Sequence, residues 1–380
     1  GSSDCFGCVN LTNKKYCFFN KQYSKEEYEK KLKELRLDTF SGVTVARKIA
    51  NDFFLNFPNK FTHARYNVNS TGEYVFYSKN AKNIYQARFV EDSKFCQLIT
   101  LKPMKDSYDY TEWGQNAQHV YDAITIGDSA DMVKFSSGCW MQVLNVEYSM
   151  YVIGSSHMFG CIGLRNKKYC ILNKQYKEAE YTKLREKIIQ DMNKEPYTDS
   201  RGRAFRYGEF FPYDLSLYDY NESTAHDYFP MTHEIVRKNG WRWKEATATE
   251  YKITKEPDSI ADSIADVPDS ITNEIIRCRT CNRAFRIVPA ELELLRRFQL
   301  PVPRDCPDCR NQNRMHRIGS FRLFHSKCQC GGAESENGTY KNQAEHFHKT
   351  SSCPNEFETS YAPERPEIVY CEQCYQSEVV

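Results

Sequence analysis

Residues 5–28, CFGCVNLTNKKYCFFNKQYSKEEY, return at 158–181 as MFGCIGLRNKKYCILNKQYKEAEY, with 15 of the 24 positions identical. A match of that length within one chain marks a repeated structural unit, so both copies must solve the same packing problem. Each copy runs into a charged stretch of helical period, Ser24 to Leu37 and Lys177 to Lys194, whose Glu and Lys spacing suits a solvent-exposed helix. The unit therefore reads as strands closed by a capping helix. The chain opens directly on the first copy, so further coils are expected upstream.

Between the copies a small or polar residue recurs beside an aromatic, Cys or branched one, at Asn83, Ser93, Ser107, Ala117, Ser129, Gly138 and Ser149. The steps alternate near half of a 20–24-residue period. Stacked coils of a short parallel β-solenoid give such a rhythm, because each coil buries its inner face only against its neighbours. Cys139 and Cys161 are then expected at one position on successive coils. Cys8, Cys17, Cys161 and Cys170 are expected as an interior ladder of unoxidised thiols. Cys5 and Cys8 have the spacing of a zinc knuckle, but Met158 replaces Cys5 in the second copy, which disfavours metal there.

The strongest chemical signal lies further on. Cys278-x2-Cys281 and Cys306-x2-Cys309 supply four thiolates with the spacing of a structural zinc site. Four protein ligands leave no open position for water, so this ion should hold a fold rather than hydrolyse a substrate. A second site is expected from Cys371-x2-Cys374 with Cys353. Cys330 is the favoured fourth ligand, since Gly331 and Gly332 after it permit a tight turn. Cys328 and His348 are its competitors, and His346 is a further candidate. Each histidine taken alone is more readily a neighbour than a ligand. The expected cofactor is zinc, about two ions per chain.

Charge decides little globally: 52 basic against 50 acidic residues leave a net +2, which steers no polyanion. Locally, residues 277–327 hold 12 Lys/Arg against Glu291, Glu293, Asp305 and Asp308. Arg310, Arg314 and Arg317 recur at helical spacing after the second Cys pair, an arrangement able to meet phosphates. Acidic segments at 256–274 and 354–380 pull the other way. The first reading of function is thus a non-catalytic zinc protein that binds RNA or DNA through a basic module. The alternative is a zinc-stabilised protein-interaction scaffold. An enzyme is the less favoured reading: nucleotide-binding, nucleophile-elbow and zinc-protease motifs do not occur. Asp106, Asp109, Asp122, Asp128 and Asp131 offer carboxylates without a distinguishable pair. No apolar run approaches the ~20 residues needed to span a bilayer, and no export signal opens the chain. A cytoplasmic location without membrane contact is expected, consistent with free thiols.

The run CRTCNRAFRIVPAELELLRRFQLPVPRDCPDCRNQNRM resembles the zinc-ribbon and treble-clef modules of uncharacterised bacterial proteins from uncultivated small-genome lineages, and FETSYAPERPEIVYCEQCY resembles a second such module. FGCIGLRNKKYCILNKQY and PDSIADVPDSI resemble the segments that accompany these modules. The resemblance implies zinc binding and carries no activity with it. The insertion between Cys330 and Cys353 departs from the pattern.

The expected fold is mainly β with helices, a short parallel β-solenoid followed by two small treble-clef or zinc-ribbon modules. Its divisions are a repeat segment and capping helix (1–37), a solenoid with the second repeat and helix (38–199), an aromatic connector (200–255), an acidic tether (256–274), zinc module 1 (275–325) and zinc module 2 (326–380).

Overall fold

A computed structural model describes residues 1–245, 251–319 and 321–379. The connector and both zinc modules as drawn from the sequence thus each include residues outside the described ones. The fold is mixed, with many short strands and eight α-helices among the described residues.

The largest element is a 14-stranded sheet that begins at Ala64–Arg65 and ends at Lys174–Gln175. Its strands pair in parallel until the last pair, which is antiparallel. Val120 pairs with Val133, Val133 with Val146, Val146 with Met158, and Met158 with Cys170. These five residues form one column of the core, none more than 1% exposed. Branched side chains suit such a column because they pack on a pleated surface with little rotamer freedom to lose.

The pairing step differs from the expected period. Neighbouring strands are offset by 12 residues at Met158 and Cys170 and by 13 at Val133 and Val146. The 20–24-residue spacing is therefore two steps, and Cys139 and Cys161 fall in different columns. Cys139 pairs with Ile126, whereas Cys161 Sγ donates to the Cys170 carbonyl.

Buried serines account for the polar part of the rhythm. Ser93 Oγ accepts from Ser107 N at 3.1 Å, and Ser107 Oγ accepts from Val120 N at 3.2 Å. Ser136 Oγ accepts from Ser149 N, and Ser149 Oγ from Cys161 N. Each hydroxyl satisfies a backbone donor that water cannot reach, and an unmatched buried donor costs about 1–3 kcal/mol.

The two sequence copies take the same register. Cys5 pairs with Cys17 as Met158 pairs with Cys170, and Cys17 then turns back on Gln22 as Cys170 does on Gln175. Helix α1 (Lys25–Glu34) follows the first copy, with a capping box between Ser24 and Glu27. Helix α2 (Phe40–Phe54) comes next, and α3 (Glu178–Lys194) follows the second copy. Tyr28 of α1 packs on Tyr16, and Tyr181 of α3 on Tyr169, with centroids 5.9 and 5.8 Å apart. All four expected ladder cysteines are free thiols. Cys17, Cys161 and Cys170 are buried, while Cys8 is only half-buried.

The connector carries two short helices, α4 (Thr224–Tyr228) and α5 (His233–Lys238). Several of its aromatic rings pack on the sheet or on Phe321. Tyr207 donates to Glu147 at 2.7 Å, Phe211 lies against Tyr148, and Tyr228 stacks on Phe321 with centroids 4.3 Å apart. Tyr213 and Tyr218 remain exposed.

Residues 256–274 are not a loose tether. Ile260, Ile264, Val267 and Ile271 are buried in one cluster with Cys278, Phe285, Ile287, Leu292 and Val302. The near-repeated Ser-Ile-Ala-Asp pattern sets an isoleucine inward at each short turn, and composition alone conceals that. The same segment grips the start of α2, where Phe40 N donates to Asp262 O and Ser41 Oγ to the Asp262 carboxylate. At the far end of α2, Pro58–Lys60 pairs in parallel with Ile368–Tyr370 of module 2. Helix α2 thus runs from one cysteine cluster to the other.

Candidate metal centres

In module 1, Ile276–Arg277 pairs antiparallel with Ala284–Phe285. The turn between them presents Cys278 and Cys281, with Asn282 in the left-handed region at φ 61°. Asn tolerates that conformation better than other residues with a Cβ. Helix α6 (Pro289–Phe298) then leads to α7 (Pro307–Ile318), whose N-cap is Cys306 and whose first turn holds Cys309. Proline at the first helical position removes a donor the helix could not use, and the helix N-terminus favours thiolate at both cysteines.

The four sulfurs lie within 4.8 Å of one another. Cys281 and Cys306 are 3.7 Å apart, close to the ~3.8 Å edge of a tetrahedron with metal–sulfur bonds of about 2.3 Å. Cys306 N donates to Cys278 Sγ at 3.2 Å, and Arg283 Nε to Cys281 Sγ at 3.4 Å. Burial opposes ionisation of Cys281, but hydrogen bonds from Arg283 and from the Cys309 and Cys278 thiols outweigh it and hold the thiol down to about 7. Burial and the neighbouring thiols push Cys309 up. A bound cation relieves that mutual repulsion. The four residues are those the spacing names.

In module 2 the candidate group differs in one residue. Its four-cysteine group is Cys328, Cys353, Cys371 and Cys374, and Cys330 belongs elsewhere. Cys328 follows the strand Phe324–Lys327, which pairs with Glu356–Thr359. Cys371 follows Ile368–Tyr370, and Cys374 sits in the first turn of α8 (Glu372–Val379). Cys353 lies 3.9 Å from Cys371 and 3.6 Å from Cys374. Cys371 N donates to Cys328 Sγ, and Asn355 Nδ2 to Cys371 Sγ. The Gly-Gly turn that favoured Cys330 is real, with Gly332 at φ 102°, where a Cβ would come within 2.6 Å of the Thr350 backbone. That turn brings Cys330 toward the 344–350 loop rather than into the four-cysteine group. Cys330 instead falls in a second group able to hold a metal ion, with His346, His348 and Cys374.

The expected phosphate-binding face is altered by pairing. Arg310 binds Glu291 of α6 at 2.7 Å and is half-buried. Arg314 and Arg317 are exposed and form no ion pair among the described residues. Part of the remaining basic charge is met internally: Arg277 pairs with Glu256, Arg279 with Asp258, Arg283 with Asp308, and Arg296 with Asp269, while Arg286, Arg297 and Arg322 are exposed. Arg304 is buried, donating to the Ile260 and Ala261 carbonyls at 2.9 Å. The acidic segment and the basic module are two halves of one unit.

Of the carboxylates considered for catalysis, Asp131 is engaged by His119 and Gln118. Asp109 and Asp122 border an open groove also lined by Phe321, and burial raises both carboxyls. No described helix is long and apolar enough to cross a membrane. Compared with known proteins, the chain matches no family model, no curated protein and no solved structure.

Proposed function

We propose that this chain is a non-catalytic, zinc-stabilised interaction scaffold, in which two four-cysteine modules of treble-clef type lock a parallel β-solenoid to its N-terminal helices. The observation that carries this reading is that residues 256–274 fold into the core of module 1 and pair with three of its arginines. Arg277, Arg279 and Arg296 all pair with that acidic segment, and Arg283 and Arg310 pair within the module. Zinc is the ion a closed set of four thiolates takes, and such a site supplies folding energy rather than a reactive water. The solenoid reading rests on the sequential parallel pairing and on the shared register of the two FGC copies. The bacterial zinc-module resemblance fits the same picture.

Nucleic-acid binding is the second reading, kept by the exposed Arg314 and Arg317 on α7. Salt separates the two. Single-stranded and duplex probes are expected not to bind the zinc-loaded protein at about 50 mM salt. Binding would instead carry a log–log salt slope of about −0.9 per phosphate contacted on duplex DNA, or −0.7 on a single strand. If such a slope appears and Arg314→Gln with Arg317→Gln flattens it by one to two units, the scaffold reading gives way.

A further inference from the structure

Module 2 offers seven thiol and imidazole ligands, three more than one tetrahedral ion takes. Two tetrahedra that share a corner use seven. The structure groups the residues in that way: Cys328, Cys353, Cys371 and Cys374 form one set, and Cys330, His346, His348 and Cys374 form another. Within each set the ligand atoms lie within 4.8 Å of one another. We propose that module 2 holds two metal ions bridged by the Cys374 thiolate, giving three ions per chain. The proposal rests on the reading of module 2 as a zinc module.

The histidines carry the argument. His346 is fully buried, and its Nε2 faces the Glu378 carboxylate at 2.8 Å. That carboxylate already accepts from Tyr340 Oη and from the Gln343 and Ala344 amides, so it can only take a proton from the ring. The neutral ring therefore carries its proton on Nε2 and turns the Nδ1 lone pair toward Cys330 Sγ at 3.2 Å. His348 is set the opposite way. Its Nδ1 donates to the Ser351 carbonyl at 2.6 Å, which leaves the Nε2 lone pair facing Cys374 Sγ at 3.3 Å. Metal-bound histidines nearly always give their other N–H to a carboxylate, a carbonyl or water, and both rings do so. Two lone pairs aimed at two sulfurs repel unless a proton or a cation lies between them. A metal ion between the four groups satisfies all of them at once.

Helix α8 makes the sharing possible. Cys374 and Glu378 are four residues apart, on one face of the helix, so a single turn supplies the bridging sulfur and the group that orients His346. Asn342 Nδ2 donates to Cys330 Sγ at 3.2 Å, as Asn355 does to Cys371 in the four-cysteine group. Charge points the same way. Five thiolates and the Glu378 carboxylate with one divalent ion leave −4 in a buried cluster, whereas two ions leave −2, and buried charge is costly unless compensated.

The test loads the full chain with cadmium-113, counts bound metal by elemental analysis and records cadmium NMR. Three ions per chain are expected, with two resonances coupled to each other through the shared sulfur. His346→Ala with His348→Ala should reduce the count to two and abolish the coupling. Glu378→Gln, a milder change, should weaken one ion by about 10–100-fold against a competing chelator. Two ions in the wild type, or three without mutual coupling, overturn the bridged pair and leave the two four-cysteine sites standing. Fewer than two ions on folded protein overturns the zinc-scaffold reading itself. If the double variant fails to fold, the wild-type coupling decides.

Discussion

Cys306→Ser is expected to release the metal of module 1 and to unfold residues 256–318 together with the start of α2. Structural zinc contributes roughly 10–16 kcal/mol in isolated fingers, comparable with or above the ~5–15 kcal/mol that separates an ordinary domain from its unfolded state. The module has little to replace that loss. Its core is built around the site, with Cys278, Cys306 and Cys309 themselves buried among Ile260, Ile264, Ile276 and Ile287. Arg304, two residues from Cys306, is held by the carbonyls of Val302, Ile260 and Ala261. Its guanidinium and that of Arg279 lie 4.9 Å from the Phe40 ring of α2. A flexible tether between sheet and module would confine the damage to 277–327. The observed packing sends it into α2 instead. Hydrogen exchange on the variant should show lost protection at 256–318 and at 40–44 relative to the zinc-loaded wild type, with 110–170 unchanged. Full protection of 256–318 after the metal has gone would mean that the apolar cluster suffices alone.

Much of the metal chemistry is legible because thiolate spacing is a local property. Cys278, Cys281, Cys306 and Cys309 sit within two tight turns, so four positions in sequence fix four positions in space. The fourth ligand of the module 2 group is not local. Cys328 reaches Cys353 and Cys371 across an insertion, and the choice between Cys328 and Cys330 depends on which side of one extended strand end faces which loop. The strand rhythm is visible, but its period reads as two steps in place of one, since neighbouring strands are offset by only 12 or 13 residues. The acidic segment misleads for a different reason. Its composition is that of an extended linker, while its fold depends on isoleucines spaced to meet a core contributed by residues later in the chain. The arginines of module 1 look free for phosphate because their partners, Glu256, Asp258 and Asp269, lie outside the module in sequence.

Glu147→Ala is expected to cost about 3–5 kcal/mol, the range for breaking a buried ion pair from one side. Glu147 ends the strand Leu144–Glu147 and is 5% exposed. Arg185 of α3 binds it twice, at 2.6 and 2.9 Å, Tyr207 of the connector donates at 2.7 Å, and Lys134 stands 3.5 Å away. One carboxylate therefore joins the sheet, the second capping helix and the connector. Burial alone would raise its pKa, but the Arg185 and Tyr207 hydrogen bonds and the charges of Arg185 and Lys134 hold it below the ordinary carboxylate value. With the folded value depressed, the stabilisation is fully present above the unfolded pKa of about 4.3 and is lost as pH falls through the folded one. The stability gap between wild type and Glu147→Gln, read from urea midpoints, should be large at pH 7 and shrink below about pH 4. Protonation and the amide then remove the same charge. A gap that stays constant across that range would show that Glu147 acts through packing, and that the charge at this three-way junction contributes nothing.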